Sequence, residues 1–391
     1  MIGLKDALSI LDQAELQPDV ESVPLSRSYG RILAEDLVSA IEMPPFDKAA
    51  MDGYAINSRD KSQQFRVTGV VAAGDFPERA VGAGEAVRIM TGAPVPKGAD
   101  QVVVREVSEE RGGNVYFSSR NAARNICRQG EDVKPGDLIL ARGTRMGPAE
   151  TAVAAAIGRG RLQVFRIPRV GILVTGSEIV SPGGSLKPGQ IFDSNSTSIR
   201  THLRQMGVDA VFARRVEDDP QCIRNALRNA LEESDLVILS GGVSMGDFDY
   251  VPDALESLGV RLHFTRVTIK PGKPTVFGSH EKGFVFGLPG NPVSAFVVFE
   301  IMIRPFLYRM MGHVYRPRTV AVPMADTWRR SKVRRTTFLP VRLESGRAVI
   351  PDYHGSAHIF ALPGADGLLE IPAGVKQLSA KEEVYVRLLG S

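Results

Sequence analysis

The sequence predicts a multidomain α/β protein: one mostly parallel, three-layer α/β sheet domain, small β-rich domains and a C-terminal β-barrel. Three observations lead there. Over residues 167–317, short apolar, β-branched runs alternate with helical patterns, as in a parallel sheet covered on both faces. Three of those runs end in glycine-rich loops: Thr175-Gly-Ser-Glu178, Ser240-Gly-Gly-Val-Ser-Met-Gly-Asp247 and Gly287-Leu-Pro-Gly-Asn-Pro292. Residues 43–136 and 318–391, by contrast, show short strand-like runs between Gly, Pro and Asp turns, with little helical periodicity.

Taken in order, the chain opens on an amphipathic helix. Asp6, Asp12 and Glu15 interrupt its apolar residues, which excludes a secretion leader, and residues 1–20 are expected to join the sheet domain or the linker region. Residues 21–42 and 137–166 form that linker, the second part carrying an Ala-rich helix opened by Pro148. Between them, residues 43–136 make a small β-rich domain with strands near 65–71, 86–90 and 101–104. In the sheet domain, 170–174, 208–213, 236–240 and 284–286 read as strands. Helices follow with Ile199, Leu203 and Met206, then Ile223, Leu227 and Leu231, on single faces; a short helix covers 251–258 and a long apolar one 292–311. The tail alternates again at 319–323, 337–343, 368–371 and 383–388.

Composition narrows the function. A net charge of +4 with no Lys/Arg stripe argues against a nucleic-acid partner. The longest apolar run, 295–303, is broken by Glu300 and falls short of a membrane span. Two cysteines, Cys127 and Cys222, supply neither a disulfide framework nor a zinc pattern, and predict a reducing, cytoplasmic setting. There is no dinucleotide fingerprint, P-loop or zinc-protease motif. His354 and His358 are four apart, but in a segment without helical character.

Acid and base gather at the loops. Asp52 sits in Ala-Met-Asp-Gly-Tyr, and Glu178, Asp193, Asp218, Asp219, Asp247 and Asp249 fall at or near strand ends. Carboxylates without His or Cys company suit a hard cation such as Mg²⁺. Lys270 and Lys273, fixed between prolines and glycine, suit a phosphate or oxyanion. Simpler roles compete: Asp219 before Pro220 and Asp193 are natural helix caps, Asp247 a turn residue, Lys273 a solvated lysine. These patterns alone reach an anion-binding α/β enzyme.

Six motifs in order carry the reading further: Met43-Pro-Pro-Phe-Asp-Lys-Ala-Ala-Met-Asp52-Gly-Tyr, Met90-Thr91-Gly-Ala-Pro, Gly130-Glu-Asp132-Val, Gly241-Gly-Val-Ser-Met-Gly-Asp-Phe-Asp249-Tyr, Lys270-Pro-Gly-Lys273-Pro and Gly287-Leu-Pro-Gly-Asn-Pro292. Together they resemble the molybdopterin molybdenumtransferases, the bacterial MoeA proteins and the matching domain of gephyrin. The resemblance covers essentially the whole chain. It implies a molybdopterin-binding α/β domain over 167–317, an elongated linker and dimer domain over 21–42 and 137–166, and a homodimer. It implies insertion of molybdate into adenylylated molybdopterin with release of AMP, assisted by Mg²⁺. The adenylylating enzyme of the preceding step would supply the substrate; molybdoenzyme apoproteins or their chaperones would take the product. A tungsten-inserting paralogue and a non-catalytic scaffold of the same fold are the alternatives.

Carried over residue by residue, the resemblance makes Asp52, Thr91, Asp132, Glu178, Asp218 and Asp249 the catalytic group, with Glu178 and Asp249 as metal ligands. Lys270, Lys273, Arg266, Pro289, Pro292, Arg335 and Ser356 would hold substrate and anion. Two departures stand out. Arg266 replaces a lysine of relatives, a planar fork for a compact ammonium, and Phe360-Ala361 stands where relatives carry Ser-Ser.

Overall fold

A computed structural model describes residues 1–120, 123–243 and 250–390. Its centre is a six-stranded sheet: β1 (Val170–Thr175), β2 (Ala210–Val216), β3 (Leu236–Ser240), β4 (Arg261–Phe264), β5 (Val276–His280) and β6 (Gly283–Leu288). The strand order is β2-β1-β3-β6-β5-β4. β2, β1, β3 and β6 are parallel; β5 runs antiparallel beside β6, and β4 antiparallel to β5 at the edge. β1 and β3 are buried along their whole length, as uninterrupted apolar runs covered on both faces require.

Helix Asn195–Gln205 covers one face through Ile199 and Leu203, and Pro220–Glu233 the other through Ile223, Leu227 and Leu231. Each such side chain contributes roughly 1.5–3 kcal/mol by leaving water. Pro220–Glu233 starts as its sequence suggests: Asp219 accepts hydrogen bonds from the Gln221 and Cys222 N–H groups, both at 2.9 Å, with Pro220 at the first helical position. Asp193 likewise accepts from the Ser196 N–H at 2.9 Å.

The long apolar helix expected over 292–311 is present from Pro292 to Met310 but is not uniform. It runs as Pro292–Val298, a wide π turn at Phe299–Ile303, then Arg304–Met310. Pro305 explains the wide turn, because it has no N–H to donate to the carbonyl one turn earlier. The second parallel strand is also displaced, at Ala210–Val216 instead of 208–213.

The N-terminal helix, Leu4–Gln13, packs Leu4, Ala7 and Leu11 into the same core as β1 and β3. Arg309 donates to the carbonyls of Leu11 and Ala14, fixing the helix end. Val20–Pro24 pairs with Arg161–Phe165, and Leu37–Val38 with Leu138–Leu140, around Leu33, Met146 and Leu162. The chain between these strands forms a separate six-stranded sheet, ordered Gln101–Val104, Gly53–Ile56, Glu85–Ile89, Gln64–Val71, Asn114–Phe117, Ser108–Arg111.

The C-terminal sheet runs Thr336–Glu344, Gly367–Ile371, Glu383–Leu388, Thr319–Pro323. A Met324–Ala348 bridge returns its last strand to Arg347–Val349, itself paired with Thr336–Glu344, so the strands close around Leu339, Val341, Leu369 and Val386. Ile269–Lys270, from the sheet domain, joins as an extra strand parallel to Thr336–Glu344. No helix among the described residues is long and apolar enough to cross a membrane.

Candidate active-site cleft

The four parallel strands end together at Thr175, Val216, Ser240 and Leu288, and the loops leaving those ends border a cleft of about 990 Å³. Binding sites of open α/β sheets lie at this edge, where strand ends splay their loops. Two glycines make the floor. Gly241 has φ +95°, and a Cβ there would stand 2.6 Å from the Thr175 carbonyl oxygen, so no other residue fits so close a crossing. Gly176, at φ +135°, leaves room for the Glu178 carboxylate to fold back over it: a Cβ would meet Glu178 Oε2 at 2.7 Å.

Asn195 locks the floor together. Its Nδ2 donates to Ser240 Oγ at 2.7 Å and to the Gly290 carbonyl at 2.8 Å, joining a helix start to two strand-end loops. Asn291 Nδ2 donates to Ser356 Oγ at 2.9 Å, and the Val293 N–H donates to the Ser356 carbonyl at 3.0 Å. These two bonds dock the C-terminal domain on the cleft and bring Ala357, Ile359 and Phe360 to its rim.

Of the residues expected at the site, Glu178, Asp218, Pro289 and Pro292 line the cleft, and Ser356 sits against its Asn291 wall. Asp249 lies outside the described residues, as does the Gly-Gly loop beyond Val243 up to that residue.

The basic residues form a second group. Lys270 is not a loop residue of the main cleft but an exposed strand residue bordering an adjacent cavity of about 190 Å³, beside Trp328, Tyr353 and His354. Burial pushes the Tyr353 phenol up to about 12. Arg335 Nη1 donates to the Ile269 carbonyl at 3.2 Å, next to Lys270. Lys273 is exposed; its carbonyl accepts from the N–H groups of Val267 and Thr275, both at 3.0 Å. Pro274 of the same motif reaches the main cleft. Arg266 is half-buried, its carbonyl accepting from the Ile2 N–H at 3.0 Å.

The third group stands on the β-rich sheet. Asp52 Oδ1 accepts from both the N–H and the hydroxyl of Thr91, each at 2.7 Å. The Thr91 backbone bond, then its hydroxyl bond, hold the Asp52 carboxyl below the usual aspartate range, so it is ionised at neutral pH. Asp132 is exposed in its turn, its N–H donating to the Met43 carbonyl at 3.0 Å. None of Asp52, Thr91 and Asp132 lines the cleft of their own chain.

The carboxylates present suit Mg²⁺, which needs only one or two protein oxygens when phosphate supplies others; Glu178 and Asp218 border the same cleft. No group of three or more His, Cys, Asp or Glu among the described residues forms an all-protein metal cage. His354 and His358 stack on each other at 4.8 Å without a third ligand. A depression of similar size, about 960 Å³, lies on the β-rich sheet beside Arg66 and Arg120. Both arginines are engaged, with Glu85 and with the Asp60 carbonyl, and no carboxylate converges there.

Sequence reasoning overlooked two features. Thr175 Oγ1 is buried at the cleft floor without a hydrogen-bond partner among the described residues, although its Thr-Gly-Ser-Glu loop is plain in the sequence. The apolar residues Leu186, Ile191 and Phe192 had no motif to mark them, and Phe360 was noted only as a departure from relatives.

Three family models match in succession: the MoeA N-terminal region (domain I and II) over residues 2–158, a probable molybdopterin binding domain over 171–309, and the MoeA C-terminal region (domain IV) over 321–389. A molybdopterin molybdenumtransferase of Staphylococcus epidermidis is 31% identical, covering 100% of this chain and 96% of the relative. One from Haemophilus influenzae is 37% identical over 80% of this chain and 78% of its own length. A solved molybdopterin biosynthesis MoeA protein from Pyrococcus horikoshii superposes with a TM-score of 0.86 at 32% identity, covering 99% of this chain and 100% of that one.

Proposed function

The chain belongs to the MoeA family of molybdopterin molybdenumtransferases, and from that premise we propose that it inserts molybdate into adenylylated molybdopterin and releases AMP. The observation that supports this most is the cleft itself: glycine backbone and three carboxylates, Glu178, Asp193 and Asp218, near the carboxyl ends of the parallel strands, bordered by the C-terminal domain. Such a floor suits a phosphorylated substrate.

In this reading Glu178 and Asp249 would hold Mg²⁺, with Asp218 a further carboxylate of the Glu178 cleft. The ion would offset phosphate charge as water replaces AMP at the scissile phosphorus. Pro289 and Pro292 hold the loop that shapes the pocket wall. Lys270, Lys273, Arg266 and Arg335 attract the molybdate oxyanion toward the neighbouring cavity, and Ser356 and Thr91 add hydroxyl donors. The sulfur ligands of the metal belong to the substrate, so the protein needs hard oxygen and nitrogen donors only. Cys127 and Cys222 do not line the cleft.

Asp52, Thr91 and Asp132 stand outside their own chain's cleft, which favours a homodimer in which they serve the partner's site. The working domain map is 21–42 with 137–166, 43–136, 167–317 and 318–391. The setting is the cytoplasm, with an adenylylating enzyme upstream and molybdoenzyme apoproteins or their chaperones downstream. The test incubates purified protein with adenylylated molybdopterin, Mg²⁺ and either molybdate or tungstate. One AMP released per metal inserted is expected with molybdate. Substrate that binds but yields neither AMP nor cofactor would reject catalysis, and turnover with tungstate alone would reassign the metal.

A further inference from the structure

Carboxylates and glycine backbone line the cleft, and so do four exposed apolar side chains: Leu186, Ile191 and Phe192 from the sheet domain and Phe360 from the C-terminal domain. Phe360 is 84% exposed, yet it belongs to a tight turn, Ile359–Ala361, whose last residue is buried. Ile191 and Phe192 pair with Ile179–Val180, directly after Glu178, so their side is tied to the floor. The C-terminal segment is tied by the Asn291–Ser356 and Val293–Ser356 bonds, four residues before Phe360.

Single exposed apolar side chains are ordinary, but four lining one cleft that also carries carboxylates make a surface that a ligand would cover. The ligand must be anionic at one end, to suit the floor, and flat and apolar-faced at the other. We propose that Phe360 and Phe192, flanked by Ile191 and Leu186, clamp the planar fused ring of the substrate while its phosphates lie on the glycine floor. This rests on the reading of the cleft as the substrate site. Adenylylated molybdopterin carries two rings of this kind, the pterin and the adenine, and the same clamp chemistry serves either. Covering one face of a phenylalanine ring, together with ring stacking, corresponds to about a tenfold gain in affinity.

Dissociation constants of adenylylated molybdopterin, molybdopterin, AMP and inorganic pyrophosphate, measured for the full chain and for Phe360→Ser, Phe192→Ser and Phe360→Trp, test the clamp. Each serine variant should bind adenylylated molybdopterin about tenfold more weakly and pyrophosphate unchanged, with Phe360→Trp near wild type. A parallel loss for molybdopterin assigns the pterin, and one for AMP the adenine. Unchanged affinity of the serine variants for adenylylated molybdopterin overturns the clamp and leaves the site intact. An equal loss for pyrophosphate also overturns it, since the damage would then be to the floor. Failure of wild type to bind any of the four would overturn the reading of the site, and the clamp with it.

Discussion

Replacing Glu300 by alanine should destabilise the folded protein by about 3–5 kcal/mol, the cost of orphaning one member of a buried ion pair. Glu300, Arg304 and His202 have side chains only 3%, 4% and 8% exposed. Glu300 accepts from Arg304 Nε at 3.0 Å and Nη2 at 2.6 Å, and its Oε1 lies 3.0 Å from His202 Nδ1. Without Glu300 the buried guanidinium keeps Gln205 Oε1, at 3.0 Å, and His202 Nδ1, at 3.3 Å, as side-chain partners, and no carboxylate. The cluster joins the wide turn Phe299–Ile303 to helix Asn195–Gln205, whose first residue locks the cleft floor. The assay is guanidinium unfolding followed by hydrogen exchange in β1 and β3, because a multidomain chain has no single two-state transition. Replacing both members, as Glu300→Met with Arg304→Met, should recover much of the loss by removing the stranded charge. Burial alone would raise the Glu300 carboxyl, but hydrogen bonds with His202 and Arg304 outweigh it and hold it below the usual glutamate range. A depressed folded value stabilises above the unfolded value, near ~4.3, and the benefit fades as pH falls through the folded one. The gap between wild type and Glu300→Gln should therefore persist from neutral pH to about 5 and close only in stronger acid. A Glu300→Ala protein within ~1 kcal/mol of wild type at neutral pH would refute the reasoning.

Two further outcomes follow from the site. Asp52→Ala and Lys270→Ala, each inactive alone, should recover about a quarter of wild-type AMP release when dissociated and reassembled in equal amounts, since half the dimers are mixed and each holds one intact site. No recovery, with mixed dimers verified by mass spectrometry, would place the whole site within one chain. Cys127→Ser with Cys222→Ser should keep metal insertion within about twofold of wild type, because neither thiol is poised as a metal-binding thiolate. Burial, then Glu131, pushes Cys127 up, and the Asp219 contact, then burial, pushes Cys222 up. A folded double variant that releases no AMP contradicts this.

What the sequence made legible divides along physical lines. β1 and β3 could be read because burial on both faces forces an unbroken apolar run. β4 was overlooked because an edge strand obeys no such rule, Arg261 and His263 interrupting it, and β5 because Gly278 and Ser279 cut its apolar run to Val276-Phe277. Pro305 was visible, but a wide turn absorbs it so that apolar periodicity alone suggested one helix. Glu178 and Asp218 could be placed near the cleft because each follows a strand end, whereas Pro289 and Pro292 were named through the family motif. Which loop meets which was not legible. Asn291 and Ser356 are 65 residues apart, and nothing local to either encodes their bond.

The same limit explains the basic residues. A Lys-Pro-Gly-Lys-Pro run reads as a loop because proline and glycine terminate helices and central strands. Its first lysine nevertheless sits on a strand, since the C-terminal sheet offers an edge with which Ile269–Lys270 can pair in parallel. The consequence is functional. Lys270 becomes part of the seam between the sheet domain and the C-terminal domain, next to Arg335 and Tyr353, while Asp52 is carried on a different sheet altogether. Residue types at loop positions thus motivate the proposed chemistry, phosphate and hard cation, without placing it. The pairing of domains decides which carboxylate meets which lysine, and whether the two belong to one chain. Reassembly of the Asp52 and Lys270 variants addresses that question directly, since recovery requires the two groups to meet across chains.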